Sequence, residues 1–325
     1  MKKRSFAYET VRMIVLLVLV SLLAFVLITN SPIDPLNSYL GTTSTISDEA
    51  RAEIATNLGL DKPLPERFFD WVSGIAHGDL GFSITYKKPV INVIGERFSY
   101  SIVLMLIAWV LSGIVGFFLG LACGRKADSA FDKIVKGFCL AMKSAPTFWV
   151  GMMLLALFAV QLGWFPIGMA APIGKLESDV TIWDRIYHLI LPVLTLTITG
   201  MGEIVLYTRQ KVIEVSGSNY ILYARARGES ERQITFRHIM RNVMLPFVTL
   251  QFASFSELFG GMALAENVFA YPGIGSATTA AALGGDVPLL LGIALFSAIF
   301  VFAGNLIANI LYKVLDPRIG SEIND

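Results

Sequence analysis

The sequence predicts an all-α integral membrane protein with six transmembrane helices, and three observations support this fold class. First, 54% of the residues are hydrophobic and 16% are charged, whereas an ordinary soluble domain has about 25% charged residues. Second, six apolar runs are close to or above the roughly 20 residues that span a bilayer. Third, Lys and Arg are concentrated in alternate connections between these runs. The runs are Val11–Ile28, Ile102–Ala122, Phe138–Leu162, His188–Tyr207, Phe247–Ala265 and Leu289–Leu311.

The N-terminal segment, residues 1–29, joins a basic start at Met1–Arg4 to the first apolar run. The run is longer than the roughly 7–15 residues of a signal-peptide core, and no small-x-small cleavage site follows it. We therefore predict a retained transmembrane helix, preceded by a short cytoplasmic N-terminus, rather than a cleaved signal peptide.

Residues 30–99 form a polar stretch between the first two runs. Ser47 followed by two acidic residues predicts the start of a helix that reaches about Leu58, because acidic side chains favour the first turn. A second helix is predicted near Glu66–Ile75, followed by a Gly-rich strand or loop. The stretch is too short for a separate domain, so we interpret it as a small extracytoplasmic cap.

The other five runs lie in a transmembrane core, residues 100–315, and residues 316–325 form a tail. The second run carries small residues at four-residue spacing, which places them on one helix face and predicts a close helix–helix seam. These residues are Ser112, Gly116, Gly120 and Gly124.

Loop charge predicts the orientation of the chain. Of the 26 Lys and Arg residues, 17 lie in the connections on one side and 8 on the other, with Lys143 near a helix end. Because positively charged loops stay in the cytoplasm, both termini and residues 219–246 are expected there.

Residues 219–246, here called the elbow, interrupt the apolar pattern with five arginines. Gly228 suits the left-handed position that ends a helix. Ser230 stands three residues before Gln233, which is the spacing of a capping box at the start of the next helix. We predict a helix, a sharp turn and a helix outside the bilayer, with Leu245 and Pro246 re-entering it. Such a rigid charged segment is suited to a protein whose helices are moved by a soluble partner bound to it.

The sequence has no nucleotide-binding loop of its own. Gly168–Leu176 has five residues between its glycines where four are needed, and it has Leu where Ser or Thr binds magnesium. An ATP-driven role therefore requires a separate ATPase chain. No hydrolase pattern is present, and two cysteines with three scattered histidines do not indicate a metal site. The balance of 26 basic and 25 acidic residues does not indicate a nucleic-acid partner.

Three charged residues, Lys143, Glu203 and Glu257, lie in or near the predicted spans. Charges at membrane depth usually face a cavity or a partner, so one interpretation is a polar translocation path. The alternative is structural: Lys143 pairs with one of the glutamates, or an end residue extends to water.

The outer connection Glu266–Pro288 contains no Lys or Arg and is mildly apolar. It either dips towards the membrane as a lid or forms an ordinary turn with a short helix. In both cases Pro272 with Gly273 and Gly275 predicts a fixed tight bend. We take these residues and Glu266 as the candidate outer lid.

The elbow resembles the cytoplasmic coupling motif of binding-protein-dependent ABC importer permeases, above all those that serve dipeptides, oligopeptides and nickel. Arg227 stands where Lys is usual, and Glu229 where Leu is usual. Further stretches along the chain resemble the same family: LGLDKPL with GDLGFS, SAPTFWVGMMLLALFA with LGWFPIG, ENVFAYPGIG, and NLIANILYKVLDPRIG. The matching elbow residues are Ala224, Arg225, Ala226, Gly228, Ser230, Glu231, Arg237, His238, Arg241, Asn242, Leu245 and Pro246.

The resemblance implies the six-helix fold of type I ABC importer permeases, in a bacterial or archaeal inner membrane. It implies a second homologous permease, two cytoplasmic ATPase subunits that hold ATP and Mg²⁺, and an extracytoplasmic solute-binding protein, with no cofactor on this chain. Residues 224–232 would contact an ATPase, with Arg232 as the last residue of this contact segment. The matching residues from Arg237 to Pro246 would hold the segment in place. The cargo would be peptides, or alternatively nickel or a metal–metallophore complex. A channel or receptor acting alone is the competing class.

Overall fold

The computed structural model describes residues 2–30, 47, 52–53, 56 and 61–315. Most of the helix predicted from Ser47 to Leu58, and the whole tail at 316–325, lie outside the described residues. The second helix predicted in the cap is confirmed at Leu64–Ala76, and the Gly-rich stretch after it forms a two-stranded antiparallel hairpin.

The described residues are almost entirely helical, and the helices are numbered here in chain order. They are α1 Lys2–Thr29, α2 Leu64–Ala76, α3 Val90–Arg125, α4 Ala130–Ser144, α5 Thr147–Leu154, α6 Ile182–Ser216, α7 Asn219–Ala226, α8 Glu231–Gln233, α9 Met240–Ala253, α10 Phe255–Val268, α11 Ile274–Leu283 and α12 Val287–Leu315. A π-helical segment, Leu155–Gln161, extends α5, and another, Ile234–Ile239, joins α8 to α9. The remaining elements are the strands β1 Phe82–Ser83 and β2 Lys88–Pro89 and a 3₁₀ turn at Glu177–Asp179.

Four helices in the described part of the chain are long and apolar enough to cross a membrane. They contain Val11–Thr29, Val90–Arg125, Ile182–Ser216 and Val287–Ala308. The runs predicted as uninterrupted spans at 138–162 and 247–265 are each two helices, bent by 113° and 49°. Counting each bent pair as one span gives six.

Both breaks have a local physical cause. Ala145 has extended backbone angles between α4 and α5, because the residue before a proline, here Pro146, is disfavoured in the helical region. Between α9 and α10, the Gln251 carbonyl accepts hydrogen bonds from Trp109 Nε1 at 2.8 Å and from Ser254 Oγ at 2.9 Å. These donors compete with the next helical N–H, which kinks the helix. Hydropathy alone detects neither effect.

The chain divides into two compact units, of which the first comprises residues 1–100 and 273–303. Its core joins the start of α3 to α11 and α12 through Val90, Val93, Ile94, Ile274, Ala277, Ala281, Leu289 and Ile293. Asp286 is fully buried there: it accepts hydrogen bonds from Ser83 Oγ at 2.6 Å, Thr85 N at 2.9 Å and Leu289 N at 3.2 Å. One carboxylate therefore ties the hairpin to the N-terminus of α12.

The second unit comprises residues 101–272 and 304–325 and contains the predicted small-residue seam. A Cβ added at Gly116, Gly120 or Gly124 would lie within 2.8 Å of atoms on α6. The nearest atoms belong to Ile204, Thr208 and Val212, respectively. The seam is thus confirmed as a close packing of α3 on α6.

The outer connection after α10 contains a short helix, α11, as the second alternative expected. The chain bends at Gly273, one of the two glycines to which the sequence assigned the bend, and a second turn precedes it at Ala270. Gly273 is extended at the start of α11 with φ −97°, and Gly275 lies within that helix. The chain turns at Ala270 (φ +46°), where Tyr271 N donates to the Glu266 carbonyl at 2.8 Å. An alanine occupies the left-handed position that usually signals glycine, so this additional turn was not predicted from the sequence.

Candidate functional site

The elbow turns where the sequence predicted. Helix α7 ends at Ala226, and Gly228 has φ +81°. Gly228 N donates to the Arg225 carbonyl at 2.9 Å and Glu229 N to the Ala224 carbonyl at 3.2 Å, which is the hydrogen-bond pattern of a Schellman motif. No atom lies within 4 Å of a Cβ added at Gly228, so only its backbone conformation requires glycine.

The second helix of the elbow begins with the predicted capping box. Ser230 Oγ accepts from Gln233 N at 3.3 Å, and Gln233 Oε1 accepts from Ser230 N at 2.9 Å. These two bonds satisfy backbone donors that a helix start leaves unpaired. With only Glu229 between Gly228 and Ser230, the directions of both helices are locally fixed.

A buried apolar cluster holds the elbow against two long helices. Its elbow members are Ile221, Ala224, Ile234, Ile239 and Val243. Its other members are Phe117 and Leu121 of α3 and Val212 of α6. These buried contacts attach the elbow closely to α3 and α6.

Glu231 adds an ionic connection at the same place. Arg225 Nε contacts its Oε1 at 3.0 Å, and a guanidinium nitrogen of Arg125, the last residue of α3, contacts its Oε2. Glu231 side-chain exposure is 57%, so these contacts orient the helices and contribute little to stability.

The unexpected Glu229 faces a histidine of its own elbow. His238 Nε2 lies 2.8 Å from Glu229 Oε2, and the two side chains are 29% and 19% exposed. The hydrogen bond with His238, helped by the charges of Arg227 and Arg237, holds the pKa of the Glu229 carboxyl below its usual 4.5. The carboxylate thus bridges the start of the turn to the second helix.

Other elbow residues present an exposed surface. Arg227, Arg232, Arg237 and Arg241 are exposed, and no ion pair is seen for them within the described residues. Tyr220, Leu222, Tyr223 and Phe236 are exposed between 45% and 66%. Asn242 instead donates to the His238 carbonyl at 2.7 Å, while Leu245 and Pro246 lie within α9. Basic and aromatic side chains together are typical of a protein-binding surface.

The structure brings Lys143, Glu203 and Glu257 to one cavity. Its volume is about 400 Å³, and α4, α5, α6, α9 and α10 line it. Lys143 Nζ lies 3.6 Å from Glu203 Oε2, so the pairing with a glutamate considered above is present. Glu266, assigned above to the outer lid, is instead fully buried in α10 and hydrogen-bonded to Ser101 Oγ at 2.5 Å.

Sequence reasoning missed the buried ion pair between Asp132 and Arg209. Arg209 Nε and a terminal guanidinium nitrogen donate to the two carboxylate oxygens at 2.5 and 2.6 Å. Asp132 is fully buried and Arg209 is 13% exposed, so the pair fixes the start of α4 to α6. The local signal was Ser129 three residues before Asp132, since Ser129 Oγ caps α4 by accepting from Asp132 N. Nothing local indicated Arg209.

Comparison with known proteins gives matches along nearly the whole chain. Residues 116–321 match the family model "Binding-protein-dependent transport system inner membrane component". Residues 4–105 match the model for the N-terminal part of such membrane components.

Two curated relatives cover most of the chain. The oligopeptide transport system permease protein AppB of Bacillus subtilis is 32% identical over 96% of this chain and 97% of its own length. The dipeptide transport system permease protein DppB of Escherichia coli K12 is 33% identical over 92% of this chain and 94% of its own length.

A solved structure shows a similar fold. It is an inward-facing conformation of the MetNI methionine ABC transporter, which superimposes with a TM-score of 0.57 at 12% identity. The alignment covers 70% of this chain and 97% of that chain. With the family matches, this likeness confirms the type I ABC importer permease fold, and the chain belongs to the family of binding-protein-dependent transport system inner membrane components.

Proposed function

We propose that the chain is one permease subunit of an ATP-driven peptide importer and encloses half of the translocation path. A second, homologous permease encloses the other half. Two cytoplasmic ATPase subunits bind ATP and Mg²⁺ and hydrolyse ATP, and an extracytoplasmic binding protein delivers the cargo. This chain carries out no chemistry on the cargo.

The observation that carries this proposal is the construction of the elbow. Its turn is fixed by Gly228 and by a capping box, its apolar side is buried against α3 and α6, and its exposed side carries arginines and aromatic residues. A segment that is rigid, exposed and attached to two long helices can transfer a movement of a bound ATPase to them. Closure of the ATPases then biases the permease between two states.

Peptides are the cargo that the relatives favour. AppB and DppB carry the names of oligopeptide and dipeptide permeases. The nickel or metal–metallophore alternative is therefore not favoured.

The proposed placement is an inner membrane, with both termini and the elbow in the cytoplasm. The distribution of 17 basic residues against 8 supports this orientation. In this orientation residues 30–99 lie outside as a cap, and the connection at residues 269–288 also lies outside. Membrane lipid surrounds the exposed apolar faces, such as Val11–Leu27 of α1.

The first test is purification of this chain with its co-expressed partners, followed by uptake of labelled peptides and labelled nickel into a deletion strain. We expect two ATPase subunits and one further permease to copurify, and peptides to accumulate while nickel does not. Recovery of a functional channel without any ATPase would sink the proposal.

A matched pair of variants tests the elbow surface itself. The double variant Arg227→Gln/Arg232→Gln removes two exposed charges from the elbow, and Lys126→Gln/Lys133→Gln removes two exposed charges outside it. We expect only the elbow variant to lose ATPase during washes of rising salt concentration, because rim charges set salt-dependent association. If both variants lost the ATPase equally, net charge rather than the elbow surface would explain the loss.

A further inference from the structure

The cavity of the second unit has the size and setting of a ligand site. Its volume of about 400 Å³ falls within the roughly 300–1,000 Å³ of small-molecule pockets. Glu203 lies on α6 within the predicted apolar run His188–Tyr207, about one helical turn before the end of that run. The cavity therefore exposes charged side chains of the predicted spans.

Both broken helices contribute their breaks to this cavity. Ala145, between α4 and α5, and Ser254, between α9 and α10, are lining residues. Thr147 also lines the cavity and is the first residue of α5, whose first turn has no side-chain cap. Interrupted helices at membrane depth are typical of substrate sites, because their free backbone ends face the cargo. An uncapped helix start favours an anionic group.

The charges in the cavity are only weakly engaged with one another. Lys143 and Glu203 are 3.6 Å apart, and their side chains are 55% and 50% exposed. Such an exposed pair contributes little and can separate. Glu257 is exposed in the same cavity and has no ion pair within the described part of the chain. The cavity wall thus offers the Glu257 carboxylate as an available anion. It also offers the Lys143 ammonium group, which can leave Glu203 for an anion that binds it more strongly.

We propose that this wall is a subsite for the two charged ends of a short peptide. Glu257 binds the α-ammonium group, and Lys143, aided by the start of α5 at Thr147, binds the α-carboxylate in place of Glu203. At neutral pH a free peptide carries both charges, since its α-amino group titrates near 7.7–8.0 and its α-carboxyl near 3.3–3.7. This assignment rests on the proposed peptide cargo. A bare metal cation would be repelled by the positive charge of Lys143.

The test uses the complete transporter in proteoliposomes with three labelled probes: a free tripeptide, its N-acetyl form and its C-terminal amide. The affinity of the binding protein for each probe is measured separately, and the same binding protein serves every variant. Any change between variants in the ratio of uptake among the three probes is then caused by the substitution in this chain. The variants are Glu257→Gln and Lys143→Met, with Glu257→Asp as the charge-preserving form. The control is Glu96→Gln, an exposed glutamate on α3 outside the cavity.

Loss of a charge-assisted contact is expected to lower uptake of the free peptide about tenfold. The N-acetyl probe has no α-ammonium group, so the Glu257→Gln variant should take it up as fast as the wild type does. The amide has no α-carboxylate, so the Lys143→Met variant should take it up as fast as the wild type does. Glu257→Asp should restore most of the uptake, and the control should match the wild type.

Failure of the subsite is distinct from failure of the proposed function. A wild-type transporter that takes up none of the peptides would overturn the peptide cargo. Wild-type transport of peptides with an unchanged ratio among the probes in both variants would overturn the subsite alone. An equal reduction for all probes would also overturn it, because that result indicates a structural role.

Discussion

At the scale of single residues, a few polar side chains determine how the helices meet. Asp132 and Arg209 form a buried pair with two hydrogen bonds, although 77 positions separate them. Glu229, which departs from the usual coupling motif, bonds to His238 within the elbow. The departure is therefore accommodated inside the elbow and leaves the exposed arginines as its outer charges.

Removing one member of the buried pair should destabilise the protein strongly. We expect Asp132→Ala to lower the free energy of unfolding by about 3–5 kcal/mol, because it leaves the Arg209 charge unpaired. The two cysteines, Cys123 and Cys139, are buried, so the rate at which a thiol-reactive dye labels them on heating reports unfolding.

The control for this prediction is Glu214→Ala, which removes an exposed pair with Lys211. Its effect should stay within about 1 kcal/mol. Similar melting temperatures for the Asp132 and Glu214 variants would show that the buried pair is not a structural brace.

The Glu229–His238 contact predicts a pH dependence of defined sign. Because the pKa of Glu229 is held below its usual 4.5, the ionised carboxylate stabilises the elbow above pH 4.5. That contribution is lost as the pH falls through the lowered pKa. Glu229→Gln should thus melt at a lower temperature than the wild type at pH 7, and the difference should shrink towards pH 4. A difference that grows on acidification would contradict this assignment.

At the scale of elements, the seam between α3 and α6 depends on the absence of side chains. A Cβ at Gly120 would lie 2.7 Å from both the Thr208 Cβ and the Val205 carbonyl oxygen. Backbone atoms cannot move aside cheaply, so Gly120→Ala should cost about 1–3 kcal/mol in the same dye-labelling assay. Gly137→Ala is the control, since Gly137 is exposed on α4 with open space around it. It should leave stability unchanged or slightly higher.

Elements whose signals are local were predicted from the sequence. The turn at Gly228 and the box at Ser230 and Gln233 depend on residues within a few positions of each other. The kink at Ser254 could not be predicted, because it depends on Trp109 of a distant helix. Pro146 did signal its break, but the apolar run around it was taken as one span.

At the scale of the whole molecule, composition and loop charge sufficed for the membrane class, and the family matches confirm the fold. The contents of the cavity could not be predicted in the same way. Its charges lie on three different helices, and a sequence does not show which helix faces meet. The sequence therefore identified Lys143, Glu203 and Glu257 as unusual without establishing that they share one site.

The elbow is proposed to be a rigid connection to ATPase subunits, and a substitution at Gly228 tests this role. Gly228 and Gly174 have similar positive φ angles, +81° and +87°, and neither has an atom within 4 Å of an added Cβ. Valine at either position therefore carries a comparable backbone cost of about 1–3 kcal/mol. Only Gly228 lies in the elbow, so Gly174→Val controls for strain without a change of the turn.

The decisive measurement is peptide uptake and binding-protein-stimulated ATP hydrolysis by the complete transporter in proteoliposomes. We expect the Gly228→Val transporter to insert and retain its subunits, yet to lose both uptake and stimulation. The Gly174→Val transporter should keep both near the wild-type level. Wild-type uptake and stimulation with Gly228→Val would show that the elbow does not act as a rigid connection to the ATPase subunits.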